Sequence, residues 1–187
     1  MTIKYLTTIA LIILMIKGHG QETASSEKYG QTLNVGIGNG YYGYIGHSIP
    51  VVHVDYEFDI ASNWTLAPFL NFYSYESYHY WGNTYNPYKE YTYRQTVIPI
   101  GAKGTYYFDQ FLKAGSKWDF YLAGSLGFAY RKTVWENDYD GNKDIDEGMG
   151  ALFLDLHIGS EYHLNKRNGL FLDLSTGVSS FGLSVHF

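Results

Sequence analysis

Oxygen donors recur at short intervals in the run Glu136-Asn-Asp138-Tyr-Asp140-Gly141-Asn142-Lys-Asp144-Ile-Asp146-Glu147. Counting from Glu136, carboxylates fall at positions 1, 3, 5, 9 and 12, with glycine at 6 and the backbone carbonyl of Asn142 at 7. A twelve-residue loop wraps one calcium ion with this spacing, because hard cations take six to eight oxygen ligands from a chain that turns sharply at the glycine. Glu136, Asp138, Asp140, Asn142, Asp144 and Glu147 therefore form a candidate calcium site. Glu stands at position 1 where Asp is usual, Lys143 occupies a place normally apolar, and the flanks read as strands rather than helices. The plainer reading is an acidic hairpin loop, which Asp, Asn and Gly favour by themselves.

A second concentration lies in 73–93, where Tyr73, Tyr75, Tyr78, Tyr80, Trp81, Tyr85, Tyr88, Tyr91 and Tyr93 surround His79. Tyr and Trp give large contact area at little entropic cost, as recognition surfaces require. Tyr75, Tyr78, Tyr80, Trp81, Tyr85 and Tyr88 are the candidate surface-binding residues. The same pattern also suits a hairpin of two strands laddered by cross-strand aromatic pairs. Hydrolytic chemistry has weaker support. His157, Ser160 and Glu161 are close in sequence, but on a strand Ser160 faces away from the other two. His47-Ser48 has no obvious acid partner.

The elements that must carry these groups are strands. Period-2 alternation recurs through the chain, whereas helical periodicity is weak. The clearest instance is about Pro50–Ile60, with Val52, Val54, Tyr56, Phe58 and Ile60 on one face and His53, Asp55, Glu57 and Asp59 on the other. Further strands are expected at about Thr32–Gly38, Trp64–Tyr75, Tyr91–Phe108, Trp118–Arg131, Ala151–Leu164, Gly169–Thr176 and from Phe181 to the end. Connections after the first, third and fifth (about 39–49, 76–90 and 132–150) are long, and those after the second, fourth and sixth are shorter on average. Eight is an even count, and such alternating lengths suit a barrel with turns on one side of a membrane and loops on the other.

Composition and ends agree with that setting. Charged residues are 17%, below the roughly 25% of soluble domains, while Tyr numbers 20 and Gly 21. Aromatics collect near strand ends at Trp64, Tyr106, Phe108, Trp118 and Tyr162, as in the aromatic girdles at membrane–water interfaces. With net charge −5, nucleic acid is not an expected partner. No Cys is present, so neither disulfides nor a lipid-anchored cysteine contribute. Lys4, the apolar stretch Tyr5–Ile16 and the small residues Gly18 and Gly20 read as a secretory signal over residues 1–20, too short in its apolar part for a membrane helix. Residues 21–30 are expected to be a flexible lead-in, with the barrel over 31–187.

The signal, the alternating strands and the closing run Phe181-Gly-Leu-Ser-Val-His-Phe187 resemble the small outer-membrane β-barrels of OmpA/OmpX type, in a tyrosine-rich, Bacteroidetes-like form. The resemblance covers 31–187 and implies an all-β, eight-stranded antiparallel transmembrane β-barrel in the bacterial outer membrane. It also implies a terminal Phe187 read by the barrel-insertion machinery, and surroundings of outer-membrane lipid and lipopolysaccharide, whose phosphates the acidic loop could bridge through divalent ions. Members of that family serve as structural proteins, adhesins, narrow pores or, rarely, enzymes.

The interior of such a barrel is only wide enough for side chains to fill it, so the polar faces should meet there. His53, Asp55, Glu57, Lys103, Arg131, Asp155, His157, Glu161 and Asp173 are expected to form a lumenal charge network, since an unpaired buried charge costs several kcal/mol. The expected function is structural or surface interaction through the loops, with a protein or glycan ligand, no catalysis, no wide pore and no cofactor beyond the candidate calcium. The alternatives are a secreted or periplasmic lipocalin-like barrel, whose apolar face would turn inward around a small ligand, and a lipid-modifying barrel enzyme.

Overall fold

Alternation of apolar and polar side chains sorts each strand into two faces, and closing the sheet on itself gives each face its own medium. The computed structural model describes residues 29–40, 50–85, 87–112, 117–136, 138–141, 143 and 148–187. The predicted signal, residues 1–20, and residues 21–28 of the lead-in lie outside the described residues. Eight strands run β1 (Thr32–Gly40), β2 (Pro50–Ala61), β3 (Trp64–Trp81), β4 (Lys89–Tyr107), β5 (Trp118–Trp135), β6 (Gly148–His163), β7 (Asn168–Ser175) and β8 (Val178–His186). Each pairs antiparallel with its neighbours in sequence, and β8 returns to β1 to close the barrel. A four-residue helix, α1 (Asp109–Leu112), follows β4.

The faces divide as the alternation predicts. On β2, Val51, His53, Asp55 and Glu57 are buried inside, and Val52 and Tyr56 are exposed outside. On β6, Leu152, Leu154, Leu156 and Ile158 all point outward and are more than half exposed, at 57%, 68%, 61% and 54%. Phe181 and Leu183 of β8 continue the outer band. A lipocalin-like barrel needs the opposite arrangement, with the apolar face around an internal ligand. Near the turn at 61–63, Trp64 pairs with Tyr106 (ring centroids 4.9 Å apart) and Trp118 with Tyr162 (4.8 Å), giving one aromatic belt at the short-turn end.

Strand lengths depart from the sequence expectation. β3 and β5 have 18 residues and β4 has 19, whereas β1 and β8 have 9 and β7 has 8. At about 3.3 Å per residue and a tilt of about 40°, β8 rises about 23 Å and β4 about 48 Å. The wall formed by β3, β4 and β5 therefore stands about 25 Å above the opposite one. The ends of the segments expected as loops, 76–90 and 132–150, are instead strand: up to Trp81, from Lys89, up to Trp135 and from Gly148. Direct register pairs such as Glu76 with Arg94 and His79 with Tyr91 extend the ladder where hydrophobic alternation fades. β8 likewise starts at Val178 rather than Phe181, because its ladder with β1 reaches Gly40.

Asp59 also differs from expectation. The ladder shifts between Asp59 and Ala61, so Asp59, Ile60 and Ala61 are all exposed and Asp59 leaves the inner face. Its Oδ1 accepts the backbone N–H groups of Tyr29 (3.2 Å) and Gly30 (2.8 Å). These last two residues of the expected lead-in are therefore fixed. Tyr29 is buried and stacks on Tyr107 at 4.0 Å, with its hydroxyl donating to Asp109. Asn63 takes φ 61° in the tight turn between β2 and β3, a left-handed conformation that Asn tolerates because its short side chain bonds locally.

Candidate functional site

Three strands with inward charges converge at mid-barrel. Lys103 of β4 is 3% exposed, and its Nζ lies 2.6 Å from Asp55, 3.7 Å from Asp173 and 3.9 Å from Glu57. Neutral donors complete the acids. Asn34 Nδ2 reaches Asp55 at 2.8 Å and Glu57 at 3.0 Å, while the hydroxyls of Thr65 and Tyr107 donate to Glu57 Oε2 at 2.6 and 2.8 Å. His53 bridges Asp55 (2.9 Å) and Asn71 (2.6 Å). One cation thus faces three carboxylates inside a shell of donors, an arrangement that makes buried charge tolerable.

The remaining predicted members lie around this centre. His157 of β6 stands between Asp173 (Nδ1 to Oδ1, 2.8 Å) and Ser125 (Nε2 to Oγ, 3.0 Å). Asp155 is buried and approaches Gly177, where any Cβ would overlap its carboxylate. Arg131 is on the inward face of β5, and its guanidinium occupies the space a side chain at Gly150 would need. Glu161 belongs to a different group at the short-turn end, bonded to His186.

His157 and Asp173 were expected in the lumen, but their grouping with Ser125 was missed in the sequence because the three come from three strands. Their bonding order, hydroxyl to imidazole to carboxylate, is that of a nucleophilic triad. Ser125 is however 3% exposed. The cavity shared by His53, Asn71, Lys103, Ser125, His157 and Asp173 holds about 10 Å³, about enough for one water. Asp173 also accepts from the Tyr121 hydroxyl at 3.2 Å. That cavity volume is too small for an acyl group beside the serine.

Above the barrel, the six candidate surface residues divide between the two sides of the hairpin, four of them on β3 by strand parity and Tyr85 and Tyr88 in its connection. Tyr78, Tyr80, Tyr85 and Tyr88 are exposed at 66%, 64%, 93% and 66%. Tyr75 and Trp81 occupy the inner side of the same hairpin and are half-buried. There Tyr139, 1% exposed, stacks on Trp135 at 4.0 Å and meets Tyr91 at 5.0 Å and Trp81 at 5.5 Å. Tyr139, four residues past the end of β5, thus clips the third long connection onto the tyrosine hairpin.

Of the candidate calcium ligands, Asn142, Asp144 and Glu147 lie outside the described residues. Glu136 accepts the backbone N–H of Thr92 at 3.0 Å, and Asp138 is ion-paired with Lys89. The hydrogen bond from Lys89 holds the Asp138 carboxyl below its ordinary value of 3.8 and raises the Lys89 ammonium above 10.5. Asp140 is exposed. Phe187 is 75% exposed, and its backbone N–H bonds to Gln31.

The sequence matches no protein-family model, and it matches no curated protein. Among solved structures, Neisserial surface protein A is similar in fold, with 14% identity over 83% of this chain and 95% of that one and a TM-score of 0.51. Two others are similar at lower scores. The attachment invasion locus protein Ail of Yersinia pestis, solved with the heparin analogue sucrose octasulfate, has 10% identity, coverage of 83% and 96%, and a TM-score of 0.47. A de novo designed transmembrane β-barrel has 12% identity, coverage of 85% and 98%, and a TM-score of 0.44. The first shares the closed eight-stranded barrel found here.

Proposed function

We propose that the chain is an integral outer-membrane protein whose barrel raises a tyrosine-faced hairpin above the bilayer as a contact surface for a protein or glycan. One observation carries this reading: a ring of exposed apolar side chains surrounds an interior of buried charge. Water would penalise a surface on which Leu152, Leu154, Leu156 and Ile158 succeed one another at more than half exposure. Hydrocarbon rewards it, and a closed barrel leaves no backbone group unpaired in that medium. The shorter strands rise about as far as the roughly 25 Å apolar band of such barrels, so the taller wall of β3 to β5 stands outside.

With its lumen occupied by Lys103 and its acids, the barrel does not act as a wide pore, and the sealed Ser125 does not act as a nucleophile. Lipid and lipopolysaccharide surround the apolar band. Contact with a ligand falls to Tyr78 and Tyr80 of β3 and to Tyr85 and Tyr88 of the connection that follows, whose rings are exposed while Tyr139 packs against Trp81 and Tyr91 of the two strands. Fractionation tests the location: the protein should appear in the outer membrane and migrate faster unheated than boiled in detergent gels. Recovery as a soluble periplasmic protein would sink the proposal. Changing the four exposed tyrosines to Ser should abolish cell-surface binding of the ligand while leaving that heat-dependent shift intact.

A further inference from the structure

At the short-turn end of the lumen, away from the hairpin, Glu161 and His163 of β6 and His186 of β8 converge. One ligand atom from each lies within 4.8 Å of the others, the one such group of three among the described residues. The two strands are not neighbours, since β7 runs between them, so the convergence is a product of barrel closure. Glu161 Oε1 is 2.7 Å from His186 Nε2 and 3.8 Å from His163 Nδ1. Donor atoms on a tetrahedral zinc with bonds of about 2.0–2.1 Å stand about 3.3 Å apart, between these two separations. Small side-chain shifts would place one cation at equal bond lengths from all three.

The outer partners orient both rings for that task. His163 directs Nε2 to Asp119 at 2.7 Å, and a carboxylate can only accept, so that nitrogen carries the hydrogen and Nδ1 is the one turned toward Glu161. Thr32 uses its own hydroxyl hydrogen on Tyr29 O at 2.9 Å, so it accepts from His186 Nδ1, also at 2.9 Å. Nε2 of the same ring donates to the Glu161 carboxylate at 2.7 Å, and a bound cation would take the place of that hydrogen. A metal-bound histidine typically donates its other nitrogen to a carboxylate or another oxygen acceptor, which fixes tautomer and orientation. Both histidines meet that condition. Gly169 leaves the space that the Glu161 carboxylate occupies. His163 and His186 side chains are 22% and 18% exposed, so an ion can enter from solvent at this end.

We propose that Glu161, His163 and His186 bind a first-row transition-metal cation, zinc above all, with a fourth position open to water. Two imidazoles with one carboxylate suit zinc, copper or nickel, whereas calcium and magnesium select oxygen ligands. The bound ion joins β6 to the carboxy-terminal strand across the end of the barrel. This site is independent of the surface role assigned to the hairpin.

The test uses the untagged mature chain, refolded in detergent micelles, stripped with chelator and titrated with Zn²⁺ by calorimetry. One equivalent should bind. His163→Gln and His186→Gln should each weaken binding at least tenfold, the loss seen when metal-site residues are altered. His157→Gln, at mid-lumen, should leave it unchanged. Co²⁺ should give the strong visible absorption of a low-coordinate nitrogen–oxygen site, and Mg²⁺ should not compete. Should a variant fail the heat-shift check for folding, zinc protection of His163 and His186 from diethylpyrocarbonate in the unaltered protein, read by mass spectrometry, replaces it. No stoichiometric zinc uptake by folded protein, no protection of these two histidines, or equal affinity in a folded His163→Gln/His186→Gln double variant would each overturn the assignment.

Discussion

Replacing Lys103 by Met removes the cation shared by Asp55, Glu57 and Asp173 while keeping most of the aliphatic stem. Lys103 Nζ is within 4.0 Å of all three acids, at 2.6, 3.9 and 3.7 Å. The side chains of Lys103, Asp55, Glu57 and Asp173 are at most 5% exposed, so water cannot take the place of the missing charge. Breaking a buried ion pair from one side costs about 3–5 kcal/mol. Unfolding slopes for barrels of this size lie near the upper end of the ~1–3 kcal/mol/M range in urea, so the midpoint should fall by about 1–2 M. The assay is urea unfolding in micelles, followed by the heat-dependent gel shift and tryptophan fluorescence. Lys103→Met/Asp55→Asn should recover part of the loss, because one fewer carboxylate then needs a counter-charge. A Lys103→Met midpoint within about 0.3 M of wild type, accompanied by ion conductance in planar bilayers, would refute the reasoning. The lumen would then be hydrated and its charges screened.

Four further outcomes follow from single features. Ser125→Ala should leave any hydrolytic activity of the preparation unchanged, and a fluorophosphonate probe should not label Ser125, whose neighbouring cavity has a volume of about 10 Å³. Gly182→Ala should destabilise the barrel by about 1–3 kcal/mol through overpacking, since its Cβ would meet Phe171 Cε1 at 2.8 Å and the β1 backbone. Gly104→Ala, with nothing within 4 Å, should be neutral or slightly stabilising by urea titration. The Lys89–Asp138 pair gives a pH signature. Asp138 is lowered in the folded state, so its contribution is present above 3.8 and is lost as pH falls through the depressed value. Lys89 is raised, so its contribution is present below 10.5 and is lost as pH rises through the elevated value. Loop protection from protease should therefore be constant between those limits, and Lys89→Met should move the acid-side loss upward toward 3.8.

Strand identity and facing were legible because barrel physics repeats at every second residue. Val52 to Ile60 opposite His53 to Glu57 is enough to place the inner charges, and the structure confirms those faces. Strand ends were less legible. Beyond the apolar band both faces of β3 and β4 meet water or other aromatics, so Ser77, His79 and Glu76 no longer alternate with Leu or Val. Only the cross-strand partners Tyr93, Tyr91 and Arg94 reveal that the ladder continues. Side-chain groupings were the least legible. His163 and His186 each look like an isolated polar position, and Ser125 like padding. Register around a closed barrel brings residues 23, 32 or 48 positions apart together, and no local pattern records that register. Tyr29 was hidden for a similar reason: its partner Tyr107 is on the far side of the sequence, and its polar neighbours suggest a tail.

The central claim is that one face of every strand meets lipid while the other is packed in a dry lumen. The chain has no Cys, so single cysteines can be placed and spin-labelled without background. Collision rates of the label with oxygen and with a water-soluble nickel chelate, measured along β6 in lipid bilayers, test the claim directly. Labels at 152, 154, 156 and 158 should favour oxygen strongly, and those at 155 and 157 should be shielded from both reagents, a two-residue period. Preference for the nickel chelate at the even positions would place that face in water and contradict the account.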